Sequence, residues 1–271
     1  MIRKLVDAPD GTRIVYADHG PAASRDVVVL VHGVASAGEQ FADDAVYFSG
    51  LGRRVLVPDL RGHGQSRVSG SLGADRFTIA TMAHDLKLML EHAGVETTHW
   101  VGNSLGGIVG LDLLVRMPQR FASFATFGTA YRLSLPAAAA LGFPLAYALG
   151  PRIAGAVTAR VTTKNREARA VIDRCIAAFD PRVGKAVAQN VRRYDLIANA
   201  LAYAGPILML RGGADLAVNQ ALRQTLPIMS GRPNFRLVDL PTGGHCANLD
   251  ASDAFRAALL AFWAEAEARS A

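Results

Sequence analysis

At 271 residues, with 51% hydrophobic and 19% charged side chains, the chain can bury one large core and is too apolar to be disordered. The formal net charge is +6, and residues 151–200 alone hold ten Lys/Arg against four Asp/Glu. That placement argues against a nucleic-acid binder: the excess sits in one central segment, either as a solvated helical surface or as a field that steers anionic substrates.

Two cysteines, Cys175 and Cys246, offer neither a disulfide framework nor a metal-ligand spacing, and suit a reducing compartment. Residues 1–7 carry two bases and then an acid, with no apolar run of signal-peptide length, so a cytoplasmic location is expected.

Residues 2–6 and 13–18 flank the turn signal Pro9-Asp10-Gly11 and predict an antiparallel hairpin. Residues 27–31 are apolar without interruption, the pattern of a strand buried on both faces of a parallel sheet. A helical stretch at 38–50 leads to a second such strand at 54–57. The helical spacing of Ile79, Met82, Ala83, Leu86 and Leu90 leads to a third at 99–101. This alternation predicts right-handed βαβ units, with ligands bound off the carboxyl ends of the strands.

The third strand runs into Gly102-Asn103-Ser104-Leu105-Gly106-Gly107. G-x-S-x-G is the pattern of a serine at the tip of a strained strand-to-helix turn, where small neighbours let the backbones pass closely. Such a turn exposes the Ser104 hydroxyl and leaves the Leu105 N–H at a helix N-terminus, free to hold an oxyanion. An apolar helix over 105–116 then stops near Pro118, and a strand follows at 121–127.

There the alternation lapses. Residues 133–151 hold no charge over nineteen positions, which approaches the length of a membrane span, but Pro136, Gly142, Pro144, Gly150 and Pro151 break the run. No stable membrane insertion is expected. The stretch reads instead as part of a helical lid over residues 131–203, set between core segments 1–130 and 204–271 and continued through the basic helices of 160–200. After a helix at 185–203, strands resume at 206–210 and 234–239. A helix at 252–268 with Phe255, Leu259, Leu260 and Trp263 on one face closes the domain.

Asp215 follows the strand at 206–210 and His245 follows the strand at 234–239, so both reach the edge that carries Ser104. A serine hydroxyl attacks well only when a base takes its proton; histidine titrates near working pH, and a carboxylate fixes its tautomer. The chain order Ser, Asp, His is the one associated with this turn. Ser104, Asp215 and His245 are therefore the expected catalytic set, with no metal and no cofactor. The second oxyanion donor is expected to be the Val34 N–H, with Gly33 letting the loop turn inward. His32, Gly33, Asn103, Tyr131, Leu141 and Phe143 are candidates for the pocket wall. His32 could be a second base or a structural hydrogen-bonding group. Residues 59–66 lack a set of three or four metal ligands and read as a tight, internally bonded loop. Asp239, Asp250 and Asp253 read as structural, Cys246 as a small packed residue, and Asp173, Asp180 and Asp195 as surface partners for arginines.

These motifs resemble those of the α/β-hydrolase superfamily. They are Val31-His32-Gly33, Pro58-Asp59-Leu60-Arg61-Gly62-His63-Gly64-Gln65-Ser66, the Ser104 turn, Leu210-Arg211-Gly212-Gly213-Ala214-Asp215 and Gly244-His245. The resemblance runs from about residue 27 to residue 262, lid excepted. It implies an α/β fold with a mostly parallel central sheet flanked by helices and an inserted helical lid. Residues 244–249 and 127–130 resemble the 3-oxoadipate enol-lactonase-like group. Gly102-Asn103-Ser104 is also usual in hydrolases that cleave carbon–carbon bonds of ring-fission products. Both groups imply anionic, carbonyl-containing substrates. Ser104 stands where epoxide hydrolases and haloalkane dehalogenases use Asp, which argues against those. The expected function is a monomeric or homodimeric serine hydrolase of a carboxylic ester or lactone, acting on a small apolar or anionic acyl compound. The alternatives are carbon–carbon hydrolysis of a ring-fission-type diketone and a non-catalytic small-ligand sensor on the same fold.

Overall fold

A computed structural model describes residues 1–136, 150–163 and 165–269. Its main sheet has eight strands: β1 (Ile2–Asp7), β2 (Arg13–His19), β3 (Val27–Val31), β4 (Arg54–Pro58), β5 (Thr98–Asn103), β6 (Phe121–Phe127), and the two later strands Ile207–Gly212 and Phe235–Leu240. The first two form the expected hairpin, with Gly11 at a φ of +77° in its turn. From β4 onward every pairing in the sheet is parallel, in the spatial order β1-β2-β4-β3-β5-β6 followed by the two later strands.

The apolar run of β3 shows why it lies at the centre. Val27, Val29 and Val31 face one core cluster with Leu86, Met89, Trp100, Val109 and Leu113, while Val28 and Leu30 face a second with Phe41, Phe48, Phe255 and Trp263. With side chains alternating across the strand, both faces need helices over them. The helices α2 (Ile79–His92) and α3 (Leu105–Arg116) supply one layer; α1 (Ala42–Gly50) and the C-terminal helix Ser252–Ala268 supply the other.

Between β6 and the next strand of the main sheet the described chain forms β7 (Arg132–Ser134), α4 (Pro151–Thr162), α5 (Arg166–Ala178), α6 (Pro181–Val191), β8 (Arg193–Asp195) and α7 (Ile197–Ala202). Asn165 caps α5 through the Glu167 N–H at 2.9 Å, and Asp180 caps α6 through the Arg182 N–H at 2.8 Å with Pro181 beside it. β7 and β8 pair antiparallel as a separate ribbon. That ribbon corrects the helix expected over 185–203: the Leu135 N–H donates to Arg192 O and the Leu196 N–H to Tyr131 O, both at 2.8 Å, so the chain is extended between α6 and α7. The remaining strands of the main sheet are β9 (Ile207–Gly212) and β10 (Phe235–Leu240).

Asp180 and Asp195 pair with Arg182 and Arg132, at 2.7 and 2.6 Å, as expected. Asp173 does not. Its Oδ1 is buried against Gly155 of α4, with no hydrogen-bond partner among the described residues. Leu141 and Phe143 lie outside the described residues, as does much of the uncharged run around them. No helix among the described residues is long and apolar enough to cross a membrane.

Candidate active site

β5 ends in a turn whose geometry depends on glycine. A Cβ on Gly102 would stand 2.4 Å from the Gly107 nitrogen, and one on Gly106 would stand 2.2 Å from the Val31 carbonyl oxygen. The end of β5, the start of α3 and the end of β3 can approach only without side chains there. Between these glycines Ser104 has φ 49° and ψ −111°, a region non-glycine residues rarely occupy. Its N–H donates to Phe127 O at 3.0 Å, tying the turn to β6. The Ser104 side of the turn is half-buried, and no described residue accepts from the Leu105 N–H.

The loops after β9 and β10 are laced together, the Gly213 N–H donating to Leu240 O and the Ala214 N–H to Gly243 O, both at 2.9 Å. This brings Asp215 against His245, with Nδ1 2.8 Å from Oδ2. Asp215 is 8% exposed and also accepts from the Val218 N–H at 3.4 Å, at the start of α8 (Leu216–Leu222). An ionised carboxylate can only accept, so Nδ1 carries the proton and Nε2 is left bare as a base. The His245 side chain is 33% exposed. Among the described contacts no hydrogen bond joins it to the Ser104 hydroxyl; such contacts commonly close only when substrate is bound. Opposite, Gly33 lies against the nucleophile, where a Cβ would stand 3.2 Å from that of Ser104. The next residue, Val34, is half-buried, and its N–H has no acceptor among the described residues.

Residues 26–157 match the sequence model of the alpha/beta hydrolase fold. The chain has the α/β-hydrolase fold. The hydrolase is 29% identical to a RutD protein of Variovorax paradoxus, named for carbamate hydrolysis, over 93% of this chain and 97% of that one. Its structure superposes on the esterase RhEst1 from Rhodococcus sp. ECU1013 with a TM-score of 0.83 and 23% identity, covering 97% and 99% of the two chains. On the enol-lactonase from Burkholderia xenovorans LB400 the TM-score is 0.81 at 22% identity, covering 93% and 97%.

Three candidates for the pocket wall prove to have other positions in the hydrolase. His32 is fully buried, donating from Nδ1 to Gly33 O at 2.7 Å and accepting the Leu60 N–H at Nε2 at 3.0 Å. Both ring nitrogens are engaged with backbone, and burial pushes its pKa down to about 4, so it is neither wall nor base. Asn103 is 1% exposed; its amide donates to Phe127 O and His245 O at 3.2 and 2.9 Å, and its Oδ1 accepts from Gln40. It joins the nucleophile turn to the His245 loop. Tyr131 is completely buried in the core with its hydroxyl 3.1 Å from Thr126 Oγ1, and burial pushes the phenol pKa upward. Gly33 keeps its expected place beside Ser104.

The polar network behind Asn103 escaped the sequence reading. Gln40 also donates to Asn248, Asn248 donates to the buried carboxylate of Asp44, and Arg256 donates to Asp44 at 2.7 Å. Asn248 was visible within the resemblance at residues 244–249, but its partners lie about two hundred residues away.

Residues 59–66 form the internally bonded loop expected of them. Asp59 accepts from the Gly38 and Gln65 N–H groups at 2.7 and 2.8 Å, and Ser66 Oγ donates to Asp59 O. Arg61, 1% exposed, makes paired bonds to Asp85 at 2.6 and 2.7 Å. Among the described residues one trio, Asp26, His99 and Glu267, has metal-like spacing, but Arg53 already pairs with both carboxylates.

Proposed function

We propose that the hydrolase cleaves a small carboxylic ester or lactone through an acyl-enzyme formed on Ser104. The observation that carries this reading is that a strained serine, an N–H beside it with no acceptor among the described residues and a histidine bonded to a buried aspartate all follow strands at one sheet edge. In the proposed sequence His245 Nε2 takes the Ser104 proton as Oγ attacks the carbonyl carbon, and the Leu105 and Val34 N–H groups hold the oxyanion. His245 then returns the proton to the departing alkoxide. A water deprotonated by His245 attacks the acyl-enzyme, and Ser104 leaves reprotonated with release of the acid.

The esterase and enol-lactonase likenesses support acyl transfer to water, and the carbamate-named relative adds a second acyl class to test. Residues 131–203 would act as the lid that shapes the pocket. Arg160, Arg166, Lys185 and Arg193 on this segment make no ion pair among the described residues, which favours an anionic acyl compound.

The test is fluorophosphonate labelling of the wild type, Ser104→Ala and His245→Ala, with p-nitrophenyl esters from acetate to decanoate, a small lactone and a phenyl carbamate. Labelling lost in both variants, with turnover of one class, establishes the activated serine and sizes the pocket. No labelling of the folded wild type overturns the reading in favour of a ligand sensor, and turnover only of a ring-fission-type diketone moves it to carbon–carbon hydrolysis.

A further inference from the structure

The turn between α4 and α5 reaches the loop that carries His245. Thr163 in that turn is 3% exposed and donates its hydroxyl to Asp250 Oδ1, and the other carboxylate oxygen of Asp250 accepts the Gly244 N–H at 2.8 Å. Gly244 immediately precedes His245. The approach is close on both sides: a Cβ on Gly244 would stand 2.3 Å from Thr162 O and 2.6 Å from Asp250 Oδ2. The turn is held by more than Thr163. The Asn165 N–H donates to Thr163 Oγ1 at 3.0 Å, Arg169 Nε donates to Thr163 O at 2.9 Å, and Asn165 Nδ2 reaches Leu249 O at 3.4 Å.

One carboxylate therefore bridges two segments that come from distant parts of the chain, the helical insertion and the loop of the base. Among the described residues each of its oxygens has a single, different donor, so neither bond can substitute for the other. We propose that Asp250 is a positioning residue that sets the His245 loop in register with the α4–α5 turn, so that the seating of the insertion controls how His245 is presented to Ser104. This rests on the acyl-transfer reading for its kinetic consequence, but the mechanical link does not.

Three variants separate the parts. Thr163→Val removes the bond to Asp250 Oδ1 together with the acceptor of the Asn165 N–H and leaves the Gly244 bond intact, Asp250→Ala removes both carboxylate bonds, and Asp250→Asn keeps an acceptor for Gly244 and a polar group toward Thr163. The expected result is faster hydrogen–deuterium exchange across residues 243–248 in Thr163→Val, although the substitution lies about eighty residues away. Asp250→Ala should lose roughly 10- to 100-fold in kcat with KM changed less than threefold, since a small misplacement of a catalytic group has effects of that size. Thr163→Val combined with Asp250→Ala should be no worse than Asp250→Ala alone, and Asp250→Asn should recover most of the rate. Unchanged exchange at residues 243–248 in Thr163→Val overturns the link, whatever the activity. Altered exchange with unchanged kcat in folded Asp250→Ala overturns the control of His245. A wild type that turns over no ester sinks the acyl-transfer reading and leaves the exchange result to decide the link by itself.

Discussion

His32 donates its Nδ1–H to the carbonyl of Gly33, its own neighbour, at 2.7 Å. In a trans peptide the C=O and the following N–H point in opposite directions, so holding the Gly33 oxygen fixes where the Val34 N–H points. The Leu60 N–H on Nε2 pins the ring in the tautomer that makes this possible. Replacing His32 with Ala should free that peptide. Because removal of one oxyanion donor lowers kcat about 10²–10³-fold, a tenfold or larger fall in kcat with little change in KM is expected. Steady-state kinetics on the best ester checks it, and a purely KM effect would contradict the assignment.

Ser104 sits at a φ of 49° because the turn demands it. A left-handed backbone at a residue with a side chain costs about 1–3 kcal/mol, and glycine escapes most of that. Ser104→Gly is therefore expected to be more stable than Ser104→Ala by about 1 kcal/mol, with both inactive. Urea denaturation of the two variants compares them directly.

Arg61 and Asp85 are 1% and 2% exposed and bonded to each other twice. Removing one partner strands a buried charge, which destabilises by about 3–5 kcal/mol, while replacing both with apolar groups of similar size is much milder. Arg61→Met should unfold far more readily than the wild type, and Arg61→Met with Asp85→Leu should regain most of the loss. Equal destabilisation of the single and double variants would show that the pair's hydrogen bonds to Asp10 and Arg76 O dominate instead.

Burial pushes the pKa of His32 down to about 4 and that of His63 to about 3, from an ordinary value near 6.5. Between pH 6.5 and 4 the unfolded chain holds protons on these rings and the folded chain does not, so stability falls as pH falls through that window and is unaffected by them above it. The loss should reach about 3 kcal/mol for each ring by pH 4. Denaturation midpoints at pH 7.5, 6 and 4.5 measure the slope, and His63→Phe, which can keep the ring contact with Phe179, should reduce it.

The elements that form each parallel strand and its covering helix were legible in the sequence because burial on two faces and helical spacing are local patterns; residues 27–31 and 79–90 show this directly. The placement of Ser104, Asp215 and His245 was legible for the same reason, since each follows a strand at the same edge. What was hidden depends on contacts between distant residues. Arg193–Asp195 is extended only because Arg132–Ser134 lies beside it. His32, Asn103 and Tyr131 were assigned to the pocket wall because composition says that a polar or aromatic side chain is near the site, not which way it faces. Their partners Leu60, Gln40 and Thr126 are brought in by folding.

The glycines that frame the nucleophile turn divide the molecule into what can and cannot be redesigned. At Gly102 and Gly106 any side chain would collide with main chain of a neighbouring element, so no rotamer change relieves it. Selection can alter the helices between β6 and β9, which contribute no strand to the main sheet, while the serine stays where the backbone holds it. On the proposed lid role of those helices, new substrates are reachable by changing the cover, and old chemistry is inherited unaltered with the frame.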